Sequence, residues 1–261
     1  MNLNCVEELL KTKIADNFDD GRLLTIGRTA HITEGTKPGM GRSTCQYRNR
    51  CARGCPFGAY FSSNSSTLPT AEATGNMTLK PNSIVHEVIY DDVIKKATGV
   101  KVIDAETKET TIYNAKVIFM CASTIASASI LLQSKSERFP NGLGNDSGEL
   151  GHNIMDHHFK VGASAKIDGF EDKYTKGRRA NGVYIPRFRN LGGKTDTKDF
   201  KRGYGYQGGA TRESISELVA ELKYGPQLKE AILKPGEWNI TLTGFGETLP
   251  DHSNRMYLDY E

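Results

Sequence analysis

Three cysteines lie within eleven residues of a segment that is also rich in arginine and glycine. Cys45, Cys51 and Cys55 are separated by five and three residues, and Pro56 follows the last cysteine directly. Ferredoxin-type loops end in the same C-x3-C-P pattern, and three thiolates suit a cuboidal 3Fe–4S cluster, which carries negative charge. Three nearby guanidinium groups are placed to offset that charge, those of Arg48, Arg50 and Arg53.

The spacing of these cysteines leaves other chemistries open. Zinc also binds thiolates, but a structural zinc site needs a fourth ligand, and His31 is the one histidine nearby on the N-terminal side. A disulfide between two of the three cysteines would leave the third unpaired. The pattern therefore favours an iron–sulfur cluster, with zinc as the main rival and a disulfide or free thiols as the third alternative.

The middle of the chain supplies elements that could position a ligand. SIVHEVIY, residues 83–90, has the β-branched content of a strand, and a hairpin is predicted after it. KVIFMC, residues 116–121, predicts a buried strand, and Cys121 is interpreted as a buried core thiol. Small residues then lead into an expected helix at 124–133. A strand, a tight turn and such a helix form a βα unit, in which backbone can approach a ligand at the helix N-terminus.

The flanking sequence has a different character. Residues 21–70 are rich in Gly, Arg, Ser and Thr and predict loops, and residues 139–158 form a glycine-punctuated loop. Three later segments predict an antiparallel sheet, and one amphipathic helix is expected at 214–223. The three segments are VGASAKIDGF, GVYIPRFRN and WNITLTGFGE. The expected fold is α/β in the middle of the chain and α+β overall, with an intertwined antiparallel sheet.

Two further motifs imitate functional sites. Gly203, Gly205 and Gly208 fit G-x-G-x-x-G, but the residues before them cannot form the buried strand that a dinucleotide fold requires. A glycine-rich strand or turn is predicted there instead. The segment GHNIMDHH lacks a cysteine or glutamate at a spacing that completes a known metal motif. We interpret its polar side chains as ties to loop backbone groups, and they belong to His152, Asp156, His157 and His158.

Composition and charge exclude several classes of protein. The net charge of +3 is too small an excess to indicate a nucleic-acid partner, and no apolar run is long enough to span a bilayer. Residues 1–21 predict a short polar helix and lack the apolar centre of a signal peptide. Five cysteines, an odd number in a long chain, argue against a disulfide framework. The compartment stays open on these observations.

The order of several motifs resembles the glucose–methanol–choline (GMC) flavin oxidoreductases. CQYRNRCARGCPFGA comes first, followed by LPTAEATGNMTLKPNSIVHEVIYD and MCASTIASASILLQS. GLGNDSGELGHNIMDHH and GETLPDHSNRMYLDY complete the series, so the resemblance runs over nearly the whole chain from Gly21 onwards. The cysteine loop is similar to that of the branch that contains bacterial glucose, fructose, sorbitol and gluconate dehydrogenases.

This resemblance implies roles for individual residues. In that branch, cysteines at the same spacing hold a 3Fe–4S cluster beside FAD. Val85 matches the position whose backbone contacts the adenine of FAD, and Ala122 and Ser123 match the turn beside the flavin. Many members have glycine at the position of Ser123. No catalytic residue is implied within this chain, because the motifs do not include the C-terminal segment that carries the family's catalytic histidine.

The resemblance also implies an architecture. The chain is expected to be an internal fragment without the family's N-terminal βαβ unit, so that FAD would bind to it weakly at most. Its expected parts are a loop-rich segment with the cysteines (1–70), a partial FAD-binding domain (71–158) and a partial substrate domain (159–261).

The implied activity is oxidation of a CH–OH group of a sugar, polyol or sugar acid, with electrons passing from flavin through the cluster. The implied partners are a small subunit and a cytochrome or quinone that accepts those electrons. An alternative from another class is a non-catalytic binding module in which zinc on the three cysteines only fixes a loop. The two alternatives differ in metal content, iron with sulfide against zinc.

Overall fold

Helices and antiparallel sheets alternate along the chain in the computed structural model, which confirms the predicted mixture of the two. The chain divides into two units. Unit 1 contains Met1–Met77 and His157–Glu247, and unit 2 contains Thr78–Asp156 and Thr248–Glu261. The structure describes residues 2–27, 31–32, 41–48, 51–173, 182–212, 225–233 and 236–260.

The predicted helices at the N-terminus and after residue 123 are confirmed. The first begins at a capping box, in which Asn4 and Glu7 each accept a hydrogen bond from the other's backbone N–H. The helix expected at 214–223 lies outside the described residues. The described α-helices are α1 (Cys5–Asn17), α2 (Thr67–Glu72), α3 (Thr124–Gln133) and α4 (Pro226–Leu233).

Unit 1 is built on a five-stranded sheet in the order β1–β6–β7–β8–β5, and every neighbouring pair is antiparallel. All three segments predicted to form an antiparallel sheet contribute strands to it. The strands are β1 (Thr25–Ile26), β5 (His157–Ile167), β6 (Val183–Ile185), β7 (Gly205–Arg212) and β8 (Trp238–Glu247).

The N-terminal helix is fixed to this sheet by hydrogen bonds of two polar side chains at its start. Asn4 donates its side-chain N–H to the carbonyl oxygen of Ala210 (2.9 Å), and Ala210 donates its N–H to Glu7 (3.3 Å). Val6 and Trp238 pack beside these contacts in the buried core. Because Glu7 is buried, its hydrogen bonds are what make burial of the carboxyl group tolerable.

The glycine motif at 203–208 belongs to strand structure, as predicted. Gly205 and Gly208 lie in β7, where Gly208 pairs with Val183 on one side and Leu242 on the other. A Cβ at Gly208 would overlap the carbonyl oxygen of Thr241, so close strand pairing explains this glycine. The motif is not a dinucleotide fingerprint.

Unit 2 contains a three-stranded antiparallel meander with α3 against it. The predicted strand at 83–90 and the hairpin after it are confirmed as β2 (Ser83–Asp91), β3 (Lys96–Asp104) and β4 (Thr110–Asn114). The backbone N–H of Val88 donates to the buried hydroxyl of Ser134 (2.7 Å), which in turn donates to the carbonyl oxygen of Ile130 (2.6 Å). This relay fixes the end of α3 to β2.

The prediction of a buried strand at 116–121 is wrong. None of these residues belongs to a strand of the described part of the chain, and the side chains of Val117 and Phe119 are 66% and 84% exposed. The thiol of Cys121 is exposed as well, which corrects its interpretation as a buried core residue. An apolar run is buried as a strand only where neighbouring strands pair with it, and the described residues provide none here.

Among the residues that the structure describes, no helix is both long enough and apolar enough to cross a bilayer.

Candidate functional site

Three short segments of unit 1 are joined by main-chain hydrogen bonds around the cysteine loop. The N–H of Ile32 donates to the carbonyl oxygen of Ala59 (2.9 Å), and the N–H of Cys45 donates to Ile32 (3.0 Å). The N–H of Ser43 donates to the carbonyl oxygen of Phe57 (2.8 Å). The segment that carries the first cysteine therefore lies beside the turn that follows the third.

Glycines provide the turns of the cysteine loop. Gly54 and Gly58 have φ values of +76° and +57°, in the left-handed region that glycine adopts without a Cβ penalty. Cys51 begins a single 3₁₀ turn, Cys51–Arg53. The chain can therefore reverse direction on both sides of Cys55.

One cysteine sulfur accepts a backbone hydrogen bond, and backbone amides lower the thiol pKa of a second cysteine. Cys45 Sγ accepts from the N–H of Tyr47 at 3.4 Å. Partial burial by itself raises the pKa of the Cys55 thiol, but surrounding amides together hold that pKa below its usual value. These amides belong to Tyr60, Phe57, Ala59 and Gly58. This environment favours the thiolate form of Cys55, which is the nucleophilic and ligating form of a cysteine.

The convergence of three sulfurs that the spacing predicts is not seen. The five cysteines, all in the described part of the chain, form no disulfide with one another. Among the described residues, which include Cys45, Cys51 and Cys55, no three His, Cys, Asp or Glu side chains are grouped so as to hold a metal ion. Thiols that are not in disulfides fit the chemistry of a thiolate-ligated centre, and the placement of all three sulfurs in such a centre stays a prediction.

His31, the histidine weighed as a fourth zinc ligand, lies opposite Tyr60 in an isolated antiparallel bridge. Neither ring nitrogen has a hydrogen-bond partner within the part of the chain that the structure describes. Burial lowers the pKa of this imidazole, so it is neutral at pH 7. It is not grouped with two cysteines, so the zinc alternative gains no fourth ligand from it.

Within the described residues, the arginine whose side chain bonds the backbone beside the cysteine loop was not singled out from the sequence. Arg48 and Arg53 are exposed, and Arg50 lies outside the described residues. Arg42 instead donates to backbone carbonyl oxygens just after the third cysteine, at 2.7 Å in the case of Gly58. The sequence holds no signal that separates Arg42 from its neighbours, except its place before the first cysteine.

In unit 2, Val85 lies beside an irregularity of β2. Val85 pairs with Val102 and Glu87 pairs with Lys101, so His86 is an extra residue on one strand, a β-bulge. Bulges interrupt the hydrogen-bond ladder and are common beside binding sites. The backbone contact expected at Val85 therefore falls where strand pairing is locally disrupted.

Ser123 immediately precedes α3 in an unusual conformation. Its φ of +74° and ψ of +170° fall in a region that is adopted essentially by glycine alone. Its side chain makes no capping hydrogen bond to the helix, and Ala122 and Ser123 are both exposed. The first turn of α3 thus presents backbone N–H groups without a side-chain cap, an arrangement that suits acceptor atoms of a ligand.

The described side chains of the histidine segment GHNIMDHH include one that contacts a backbone group, and they form no cluster that could hold a metal ion. His152 Nδ1 bonds the carbonyl oxygen of His252 (2.8 Å), and the two imidazoles stack with centroids 4.0 Å apart. This agrees with the predicted backbone tie. His157 and His158 were expected in a loop, but they are the first residues of β5, paired with β8. No three of these side chains are grouped for a metal ion in the described residues.

Comparison with known proteins places the chain near one family. Residues 36–159 match the family model of GMC oxidoreductase. The chain is 26% identical over 228 residues to the fructose dehydrogenase large subunit of Gluconobacter japonicus, a match that covers 87% of the chain and 40% of that protein. It is 28% identical over 230 residues to 2-methyl-1,2-propanediol dehydrogenase of Mycolicibacterium austroafricanum, covering 86% and 40%. The chain thus spans about 40% of the length of the curated relatives it matches.

Proposed function

We propose that this chain is part of an FAD-dependent dehydrogenase of the GMC type that oxidises a CH–OH group of a sugar, polyol or sugar acid. The extent of the family match carries this proposal, because residues 36–159 contain all six candidate site residues. Two relatives are named as a fructose dehydrogenase and a propanediol dehydrogenase, which supports an alcohol-bearing donor.

The residues proposed to hold FAD are all in unit 2. The backbone at Val85 would contact the adenine, and Ala122 and Ser123 would pack beside the flavin. The bulge in β2 and the uncapped first turn of α3 support these roles, since both leave backbone groups available to a ligand. FAD, when bound, supplies hydride-accepting chemistry. No residue of this chain is proposed as the catalytic base.

The cysteine loop is proposed to bind a 3Fe–4S cluster through Cys45, Cys51 and Cys55. The cluster, when bound, supplies one-electron transfer towards an external acceptor, for which a cytochrome or quinone and a small subunit are proposed. The support within this chain is the spacing of the thiols, the N–H group that donates to Cys45 and the amides that lower the pKa of Cys55. Such N–H groups tune the reduction potential of iron–sulfur centres.

Anaerobic reconstitution of the 261-residue chain with iron and sulfide tests the cluster. We expect a brown absorbance that dithionite bleaches, together with the low-temperature EPR signal of an oxidised 3Fe–4S cluster. Cys45→Ser, Cys51→Ser and Cys55→Ser should each remove that signal. Cys121→Ser is the matched control, because this exposed thiol lies outside the loop, and it should keep the signal. A colourless protein with stoichiometric zinc would instead establish the zinc-fixed module.

A further inference from the structure

A concave pocket of about 270 Å³ lies in unit 2, where three segments meet. It is bounded by the end of α3 with the residues just after it, by the glycine-punctuated loop at 141–152, and by residues 255–260. Small-molecule pockets begin at about 300 Å³, so this one suits a ligand of small size. None of its lining residues is among those proposed to hold FAD or the cluster.

Main-chain hydrogen bonds hold the three walls of this pocket together. The N–H of Leu143 donates to the carbonyl oxygen of Leu131 in α3 (2.9 Å), and the N–H of Met256 donates to that of Gly151 (2.9 Å). Gly142 is buried, and a Cβ on it would lie 3.0 Å from the carbonyl oxygen of Leu131. The loop therefore approaches both the helix and residues 255–260 closely, which makes the pocket a preformed feature.

The pocket carries positive charge. Of the described residues that line it, Lys135 and Arg255 are cationic and none is acidic. Within the described part of the chain, neither of these two side chains forms an ion pair with a carboxylate. A cleft that is lined by one sign of charge attracts ligands of the opposite sign.

The two acidic residues of the 141–152 loop are engaged elsewhere. Asp146 accepts a hydrogen bond from Arg138. Glu149 accepts from the side chain of Asn153 (2.8 Å) and lies 3.4 Å from Nε2 of His252. The loop therefore contributes backbone and amide groups to the pocket without neutralising its two cations.

The two cations differ in how they are held. Lys135 Nζ donates to the hydroxyl of Tyr260 (3.3 Å) and lies 5.7 Å from the centre of that ring, a cation–π distance. The Arg255 side chain makes no hydrogen bond among the described residues, so its N–H donors are available to a ligand. A guanidinium presents these donors in a planar fork that matches a carboxylate or a phosphate.

Apolar side chains form another part of the lining. Leu132, Leu150 and Met256 line the pocket from its three walls, and each is half-buried. Inorganic ions would leave this apolar surface in contact with water, whereas the hydrocarbon part of an organic ligand would cover it. An apolar surface beside a few polar groups is the usual composition of a small-molecule site.

We propose that this pocket binds a small organic anion, whose carboxylate or phosphate group is held by Arg255 and Lys135. The hydrocarbon part of the ligand lies against Leu132, Leu150 and Met256. The proposal depends on neither FAD nor the cluster, so it can be tested without them.

Nuclear magnetic resonance of the isotopically labelled 261-residue chain tests the pocket with benzoate, phenyl phosphate and benzamide. Benzoate or phenyl phosphate should shift the amide signals of Gly148, Leu150 and Met256, and the stronger of the two identifies the preferred anionic group. Benzamide has nearly the shape of benzoate but no charge, so it should bind about fivefold more weakly or worse.

Three variants and one control assign the binding to the two cations. Arg255→Gln should weaken binding of the preferred anion about fivefold, and Lys135→Gln about threefold. Arg255→Lys keeps the charge but loses the fork, so its affinity should fall between those of the parent and Arg255→Gln. Lys96→Gln removes an exposed charge from β3 in the same unit and should bind as the parent does. The amide spectrum of each variant also reports whether its fold is retained.

Several outcomes would overturn the proposal. These are no amide shift with either anion, shifts that lie outside the pocket, equal affinity for benzamide and benzoate, and unchanged affinity in Arg255→Gln. Inorganic phosphate is the last probe. If it bound as tightly as phenyl phosphate, the apolar lining would take no part and an organic ligand would be the wrong class.

Discussion

Ser123 has a strained backbone conformation in the turn before α3. A non-glycine residue at its φ of +74° and ψ of +170° costs of order 1–3 kcal/mol. We therefore expect Ser123→Gly to raise the free energy of unfolding by about 1 kcal/mol, since glycine removes the strain but adds entropy to the unfolded chain. Urea denaturation followed by far-UV circular dichroism measures the change.

Ser127→Gly is the control for this substitution. Ser127 lies within α3 with its N–H bonded to the carbonyl oxygen of Ser123 (2.8 Å), so the same chemical change occurs at a helical φ. It should lower the free energy of unfolding by about 0.5–1 kcal/mol. If both variants were destabilised equally, the strain assigned to Ser123 would be absent.

Asp20 makes stability depend on pH in the acid range. Arg22 donates to both of its carboxylate oxygens (2.8 and 2.5 Å), and these hydrogen bonds lower the pKa of Asp20 to about 2. Because folding depresses this pKa, the carboxylate stabilises the fold above about pH 4 and loses that contribution as the pH falls towards 2. We expect the urea midpoint, followed by the fluorescence of Trp238, to fall across this range.

Asp20→Asn supplies the comparison, because the amide does not titrate. Its urea midpoint should be lower than that of the parent protein at pH 5, and the two should approach each other near pH 2. If the urea midpoints of the two proteins fell in parallel from pH 5 to pH 2, another carboxyl group would control acid unfolding.

At the scale of single residues, backbone requirements were predictable and side-chain partners were not. The turns at Gly54 and Gly58 follow from glycine's freedom at positive φ, which is a local property. The contacts of Arg42 are made with residues sixteen and seventeen positions later. An arginine's donors can reach many carbonyl groups, and only the folded loop selects among them.

At the scale of elements, the contact between β2 and α3 depends on one buried hydroxyl. Ser134→Ala would leave the N–H of Val88 without its acceptor and remove the bond to Ile130. A buried donor without a partner costs about 1–3 kcal/mol, so unfolding should become easier by that amount. Hydrogen exchange at the Val88 amide and thermal unfolding by circular dichroism both measure the loss.

Ser129→Ala, within α3, controls for the loss of a serine hydroxyl near Ser134, the residue that follows this helix. The hydroxyl of Ser129 contacts only the Gln133 side chain among the bonds described for it (3.3 Å), and it is partly exposed. Its removal should change stability by less than about 0.5 kcal/mol. If Ser134→Ala lowered the free energy of unfolding as little as Ser129→Ala does, water would have replaced the lost acceptor of the Val88 N–H.

The elements that the sequence predicted correctly are those whose backbone hydrogen bonds form within one helix or one hairpin. The helix of α3 and the hairpin of β3 and β4 were predicted because local periodicity and turn residues define them. The segment at 116–121 was mispredicted, since an apolar run shows a preference for burial but not which strand would pair with it. The bulge at His86 was not predicted either, because register is set between strands.

At the scale of the whole molecule, chain order and spatial order differ. Unit 2 takes residues from the middle of the chain and again from Thr248–Glu261, while unit 1 takes the N-terminal part and His157–Glu247. The sequence suggested intertwined domains from the change in pattern near residues 71 and 159. It could not show the return of the last segment, because GETLPDHSNRMYLDY carries no strong periodic signal.

The proposed division of labour between flavin and cluster leads to a prediction about electron flow. In a complete dehydrogenase that contains this chain and its FAD, a sugar or polyol substrate should bleach the flavin absorbance in the parent and in Cys55→Ser alike. Hydride chemistry belongs to the flavin, whereas Cys55 is proposed to hold the cluster.

The Cys55→Ser variant should therefore lose the EPR signal of the cluster. It should also reduce a quinone or cytochrome at least tenfold more slowly than the parent, a rate measured by stopped-flow absorbance. Cys5→Ser, which alters a cysteine of α1, should retain both. If Cys55→Ser abolished flavin bleaching, or reduced the acceptor at the parent rate, electrons would not follow the proposed route.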